Sequence, residues 1–273
     1  MGSVRSSPWG EGVDRFAIGD RVVSAFWGQW DDGRFDISRA GLPLGGPLDG
    51  MLQEEVTLDE QRLVKVPDAL SDIDAAALPC AASTAWQALV TFGALRPGET
   101  VLVQGAGGVA LFGLQFARLV GARVIVTSSS DEKLARAEAL GAWAGVNYRK
   151  HPAWADSVLA LTGGRGVDHI LEVGGPGSFT QSLKAIRSGG QINVIGYLGG
   201  HDGSINPLDI FRKQAIVRGV PVGSRATLDA LMNGLAGGDT RPVIDRVFPW
   251  TEASQALRHL QAGEHFGKVV LTF

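Results

Sequence analysis

The 273 residues contain a single cysteine, Cys80. One thiol can close no internal disulfide, which fits a reducing compartment and a cytoplasmic enzyme. Nor can it build a four-thiolate zinc site. Positive charge is not in excess either: 25 Lys and Arg stand against 28 Asp and Glu, a net charge of −3. With its basic residues scattered, the chain carries no electrostatic footprint for nucleic acid. No apolar run reaches the roughly 18–20 residues that span a bilayer. The N-terminus has no apolar segment of the kind that directs secretion. Neither nucleic acid nor a membrane is therefore an expected partner. Glycine, by contrast, is plentiful, with 38 residues. They gather at expected strand ends and turns, which suits a fold with many tight connections.

Residues 1–66 read as short β-like pieces, Arg21–Phe26, Leu52–Leu58 and Leu63–Val66, separated by turn signals such as Asp32-Gly33 and Asp49-Gly50. A helix is expected over Ala75–Phe92. From Pro97 the rhythm changes to strand, helix, strand, helix. TVLVQ (100–104) and RVIVT (123–127) are continuous apolar runs of buried-strand type, with helical stretches at Val109–Leu119 and Glu132–Leu140. Strands at Val146–Tyr148, Val167–Val173 and Gln191–Ile195 continue the series, with helices near Ala153–Leu161 and Ser178–Ile186 between them. Such alternation demands a parallel sheet covered on both faces. A strand at Ala215–Val222, helices at Leu228–Leu235 and Glu252–Gln261, and a strand at Lys268–Thr272 complete the reading.

Between TVLVQ and the next helix lies GAGGVA (105–110). Gly105, Gly107 and Ala110 occupy the special positions of a G-x-G-x-x-G/A fingerprint: a tight turn, close backbone approach to a pyrophosphate, and close helix–strand packing. The helix start adds unpaired N–H groups and a positive dipole end. A bare glycine turn would satisfy the spacing too, but the βαβ setting favours the phosphate cradle. The end of the second strand bears on the choice of dinucleotide. NAD would call for Asp or Glu there, to accept from the ribose 2′-hydroxyl. The chain instead reads Thr127-Ser128-Ser129-Ser130, whose hydroxyls leave room for a 2′-phosphate. Lys133 either balances that phosphate or is a solvated helix-face lysine, and Asp131 reads as a helix N-cap. NADP(H) is thus preferred over NAD(H).

The segments FAIGDRVV (16–23), LPCAASTAWQAL (78–89), LRPGETVLVQGAGGVALFGLQFARLVGARVIVTSSSDEKLARAEALGA (95–142), GRGVDHILEVGG (164–175) and HFGKVVL (265–271) together resemble the medium-chain dehydrogenases/reductases. That superfamily includes zinc alcohol dehydrogenases, quinone oxidoreductases and enoyl reductases. Within it the chain is most similar to zinc-independent, alcohol dehydrogenase-like members near the quinone oxidoreductases. The resemblance implies an α/β protein, a doubly wound parallel Rossmann sheet with a partial GroES-like β domain. On this reading residues 1–74 form the partial GroES-like domain and 75–222 the Rossmann NAD(P)-binding domain. Residues 223–273 return to the catalytic domain. It also implies a homodimer joined through the last Rossmann strand, AIVRGVPV.

By the same resemblance, Thr84 touches the nicotinamide and Gly107, Gly108 and Val109 line the pyrophosphate. Ser128, Lys133 and Tyr148 surround the adenosine 2′-phosphate. Gly174, Ile195, Gly196 and Tyr197 meet the nicotinamide half, and Phe266, Gly267 and Lys268 close the site. Tyr148 reads equally as a strand-end aromatic, and Phe266 as a core contact.

Zinc-dependent relatives draw three metal ligands from an early Cys, a Gly-His-Glu segment and a later Cys. Cys80 resembles the third. The first two would lie upstream of GDRV, where only nineteen residues precede Asp20 and none is Cys or His. A three-ligand zinc site is thus not expected. The family's first strands likewise have no counterpart, and the chain reads as N-terminally shortened. The leading expectation is an NADP(H)-dependent, zinc-independent oxidoreductase transferring hydride to or from a small carbonyl or alcohol, a quinone or an activated alkene. The alternatives are an NADPH-binding protein with an incomplete substrate domain, and a zinc-type alcohol dehydrogenase. No proton donor stands out: His169, His201, His259 and His265 have no partner legible in sequence, and His169 within VDHILEV reads as structural.

Overall fold

The computed structural model describes residues 3–5, 12–238 and 240–273, with only the backbone described for Ser3–Arg5. The opening residues, for which the resemblance offers no counterpart, fall largely outside the described residues. The chain divides into two compact units, Met1–Ser83 with Val222–Phe273, and Thr84–Pro221.

The first unit begins with an antiparallel sheet of β1 (Ser3–Arg5), β2 (Arg21–Ser24) and β3 (Leu63–Lys65), in that spatial order. Three consecutive residues of β2, Val22, Val23 and Ser24, are buried. The segment after β2 supplies an aromatic cluster: Trp27 and Trp30 both pack against Phe35, with ring centroids 5.1 and 4.9 Å apart. Edge-on contacts of this kind give a small unit much of its apolar burial. Helix α1 (Asp72–Ala77) starts three residues before the expected Ala75. The Ser71 hydroxyl caps it by accepting from the Asp74 N–H at 3.1 Å. Pro79 then removes a backbone donor, and the helix widens into i→i+5 turns over Leu78–Ala82. The chain passes into the second unit within α2 (Ser83–Trp86).

The second unit is a regular strand–helix alternation. It runs β4 (Thr100–Gln104), α3 (Gly108–Val120), β5 (Arg123–Ser128), α4 (Asp131–Ala139), β6 (Ala144–Asn147) and α5 (Trp154–Leu161). It continues with β7 (Val167–Glu172), α6 (Pro176–Ala185), β8 (Ile186–Val194), α7 (Pro207–Lys213) and β9 (Ile216–Gly219). All six strands are parallel, in the order β6-β5-β4-β7-β8-β9. The order reverses between β4 and β7, as in a doubly wound Rossmann sheet. Every residue of β4 and β7 is buried, because helices cover both faces. On one face Ile125, Trp154, Val158, Ile170, Phe179 and Ile192 belong to a continuous core. On α3, Phe112 stacks on Phe116, and the Trp86 ring meets Phe116 edge-on.

Residues after Val222 rejoin the first unit as α8 (Arg225–Ala236), β10 (Ile244–Pro249), α9 (Ala253–Gln261) and β11 (Lys268–Thr272). The N–H groups of Arg225 and Ala226 donate to the carbonyls of Trp30 and Asp31, each at 2.9 Å. Strands β10 and β11 pair in parallel. One further expectation needs correction, and two elements were not foreseen. Leu52–Leu58 forms no strand, because its apolar–polar alternation finds no pairing partner. Strand β10 and helix α7, neither foreseen, lie in charge- and proline-interrupted stretches whose periodicity is weak. Among the described residues no helix is long and apolar enough to cross a membrane.

Candidate functional site

The glycine-rich turn sits at the carboxyl end of β4, beside the reversal of strand order. Gly105 holds a φ of +77°, which a Cβ would strain, and its N–H donates to the Thr127 carbonyl at 2.7 Å. Gly107 is the N-cap of α3 and offers no side chain to satisfy the first-turn amides. Those donors and the helix dipole are therefore available to an anion. The absence of side chains at Gly105, Gly107 and Gly108 leaves backbone as the cradle's surface, which suits a pyrophosphate. Helix α3 approaches the strands closely at Gly113: a Cβ there would lie 2.5 Å from Leu171 Cδ1 and 3.2 Å from Val103 Cγ1. Ala110, at the third position of the fingerprint, is buried as well.

At the end of β5, Ser128 is buried and its hydroxyl accepts from the Ser130 N–H at 3.2 Å. Ser130, rather than Asp131, caps α4 by accepting from the Lys133 N–H. Asp131 turns aside instead: its carboxylate accepts from Lys150 Nζ at 2.5 Å and from Asn147 Nδ2 at 2.6 Å. These partners hold the carboxyl below its usual range. Tyr148 is exposed, and its N–H donates to the Ser128 carbonyl at 3.0 Å, so the two residues adjoin.

The third cluster lies between β4 and β7; sequence reasoning named Gly174 and Ile195 to Tyr197 here but missed Gln104, Glu172, Ser178 and Ser182. The buried Glu172 carboxylate accepts from Gln104 Nε2 at 2.7 Å and from the Gly174 and Gly175 N–H groups at 2.9 and 3.1 Å. The hydroxyls of Ser178 and Ser182 donate to it as well. The Glu172 carbonyl in turn accepts from Ile195 N–H at 2.8 Å and Gly196 N–H at 3.3 Å. Tyr197 is exposed and packs against His201 with the rings tilted, centroids 4.1 Å apart. Thr84 is buried in α2 of the same unit. Gly105 to Val109, Ser128, Tyr148, Gly174 and Ile195 to Tyr197 thus follow or close the carboxyl ends of β4, β5, β6, β7 and β8, with Lys133 in the first turn of α4.

Phe266, Gly267 and Lys268 belong to the first unit. Phe266 is buried, and its N–H donates to Asp245 Oδ1 at 3.1 Å. The other Asp245 oxygen meets His259 Nε2 at 2.7 Å, a pairing not legible from sequence spacing. Gly267 has φ +97°, and a Cβ would strike the Val243 carbonyl. Lys268 and Cys80 line a cleft with Met51, Ile73, Ala76 and Val270. Burial pushes the Cys80 thiol up and the Lys268 amine down. A cysteine binds zinc as its thiolate, the form that this burial disfavours. Among the described residues no group of three or more His, Cys, Asp and Glu side chains could hold a metal ion. His169, within β7, is buried and meets Glu99 Oε2 at 3.3 Å, away from the cradle's end of the strand.

A family model described as a zinc-binding dehydrogenase matches residues 108–236. A zinc-type alcohol dehydrogenase-like protein of Schizosaccharomyces pombe is 40% identical over 270 residues, covering 96% of this chain and 78% of that protein. Quinone oxidoreductase-like protein 2 of Bos taurus is 32% identical over 245 residues, covering 85% and 68%. Among solved structures, an NAD-dependent alcohol dehydrogenase superposes with a TM-score of 0.88 at 36% identity, covering 99% of this chain and 81% of that one. Identity sustained at 40% along almost the whole chain, on a doubly wound sheet with a glycine cradle at its point of reversal, carries one conclusion: this chain is an oxidoreductase of the medium-chain dehydrogenase/reductase family, built on its pyridine nucleotide-binding fold.

Proposed function

We propose that the chain is an NADP(H)-dependent, zinc-independent member of this family. It would transfer hydride to or from a small carbonyl or alcohol, a quinone or an activated alkene in the cytoplasm. The observation that carries the cofactor preference is the end of β5. A carboxylate at this point binds the 2′-hydroxyl of NAD, but the nearest acid, Asp131, is committed to Lys150 and Asn147. Ser128, Lys133 and Tyr148 supply hydroxyl and ammonium donors suited to a 2′-phosphate.

When bound, the nicotinamide supplies the hydride chemistry. The residues of this chain bind and orient it. Gly105 makes the turn, Gly107, Gly108 and Val109 present backbone to the pyrophosphate, and Thr84, Gly174, Ile195, Gly196 and Tyr197 flank the nicotinamide half. Phe266, Gly267 and Lys268 come from the unit proposed to be GroES-like, which would contribute the substrate side. Cys80, half-buried in the cleft wall, acts as a small packing residue rather than a metal ligand. The acting species is proposed to be a homodimer paired along β9, whose residues are exposed at the sheet edge.

Purified protein free of added metal should consume NADPH in the presence of 9,10-phenanthrenequinone or a 2-enal, and metal analysis should find no stoichiometric zinc. Stoichiometric zinc whose removal abolishes turnover would establish the zinc-type reading instead. Binding of NADPH without turnover of either acceptor would leave a nucleotide-binding protein.

A further inference from the structure

Asp168 and Glu172 lie near the start and at the end of the same strand, and the fold treats their buried charges differently. Asp168 is paired with two cations, Arg165 Nη2 at 2.6 Å and Arg187 Nε at 2.5 Å. Glu172 is fully buried, yet its five partners are Gln104 Nε2, two backbone N–H groups and two serine hydroxyls, all uncharged. Ser182 closes the ring by also accepting from Gln104 Nε2 at 3.0 Å. A carboxylate accepts only, and here every neighbour donates. Dipoles therefore compensate its desolvation, while the net charge of −1 stays inside the protein. A structural peg at this place could have been neutral. The charge itself calls for a function.

That charge sits at the carboxyl end of β7, beside the reversal of strand order, with the Gly174–Gly175 turn on its carboxylate and Ile195–Gly196 on its carbonyl. In this fold each half of the sheet binds one mononucleotide. The glycine cradle and Ser128 occupy the half of β4 to β6, leaving the nicotinamide for β7 and β8. An oxidised nicotinamide ring carries one positive charge and a reduced ring none. We propose that the Glu172 carboxylate is an electrostatic bias built into the nicotinamide half, favouring the oxidised cofactor over the reduced one and so strengthening bound NADPH as a hydride donor. The inference rests on the NADP(H) reading above. In the transfer, one hydride, two electrons with one proton, passes from ring to acceptor. The ring becomes cationic, and Glu172 neither gains nor loses a proton.

The test is the ratio of dissociation constants, Kd(NADPH)/Kd(NADP+), measured by equilibrium titration of the wild-type chain and Glu172→Gln. The amide keeps the shape and can accept from the same backbone N–H groups. The ratio should fall roughly tenfold, the order expected for one unit charge acting at an effective dielectric of ~20. Combining Glu172→Gln with Gln104→Glu returns one charge to the same hydrogen-bonded pair and should recover most of the ratio. If both affinities fall by one common factor, Glu172 is structural and the inference is overturned. If Glu172→Gln does not fold, Ser178→Ala strips one donor from the carboxylate at a half-buried position. The ratio must then rise, and an unchanged or lower ratio overturns the inference. Failure of the wild-type chain to bind either form would overturn the NADP(H) reading itself, an outcome distinct from an unchanged ratio.

Discussion

Burial by itself would raise the titration of Asp168. Hydrogen bonds from Arg165, Arg187 and the Thr100 N–H outweigh it and hold the carboxyl well below its ordinary value of 3.8. A carboxyl depressed in the folded state contributes stability that is present above the unfolded value and lost as pH falls below it. Asp168→Asn should therefore cost about 3 kcal/mol at pH 7, at the low end for a broken buried pair because both arginines retain solvent. Urea denaturation across pH should show that gap constant above about pH 5 and shrinking below about pH 4, as the wild-type carboxyl itself protonates. Equal stability of the two proteins at pH 7 would contradict the assignment. Residue-scale legibility was uneven. Gly105 and Gly107 could be read from spacing, because φ and close backbone approach are local demands. Gly113 and Glu172 could not, because their roles depend on Leu171 and on Gln104, which belong to other elements.

Elements whose neighbours lie nearby in sequence were legible. TVLVQ and RVIVT are apolar runs long enough for a buried strand, and the intervening helix ends at Gly121 in the left-handed region, a local stop signal. LQEEVTL has the alternation of a strand but no pairing partner, and pairing is a property of the fold rather than of the segment. The widened turns at Leu78–Ala82 were hidden for a related reason: a proline inside a helix-like stretch can break, kink or widen it. Strand β9 raises a different question. Ile216 and Val217 are 49% and 39% exposed on an edge strand, an arrangement that invites pairing with another chain. Replacing both with lysine should convert the proposed dimer to monomer in sedimentation at micromolar concentration, with the fold unchanged by circular dichroism. A monomeric wild-type chain would remove β9 as an interface.

For the whole molecule, the family could be read from motifs because they mark positions where backbone, not side-chain detail, does the work. The likeness extends over 96% of the chain and 78% of the Schizosaccharomyces pombe relative. Membership in the family leaves the dinucleotide open, and on the proposed reading Ser128, Lys133 and Tyr148 carry the choice, while Asp131 is held by Lys150. Two or three charge-assisted hydrogen bonds to a 2′-phosphate are worth enough to separate the dinucleotides by at least roughly tenfold. The most direct test is a side-by-side fluorescence titration of the purified chain with NADPH and NADH. The account predicts saturable binding of both, with NADPH tighter by that factor and the advantage lost in Lys133→Ala combined with Ser128→Ala. Tighter binding of NADH, or no binding of either nucleotide, would contradict it.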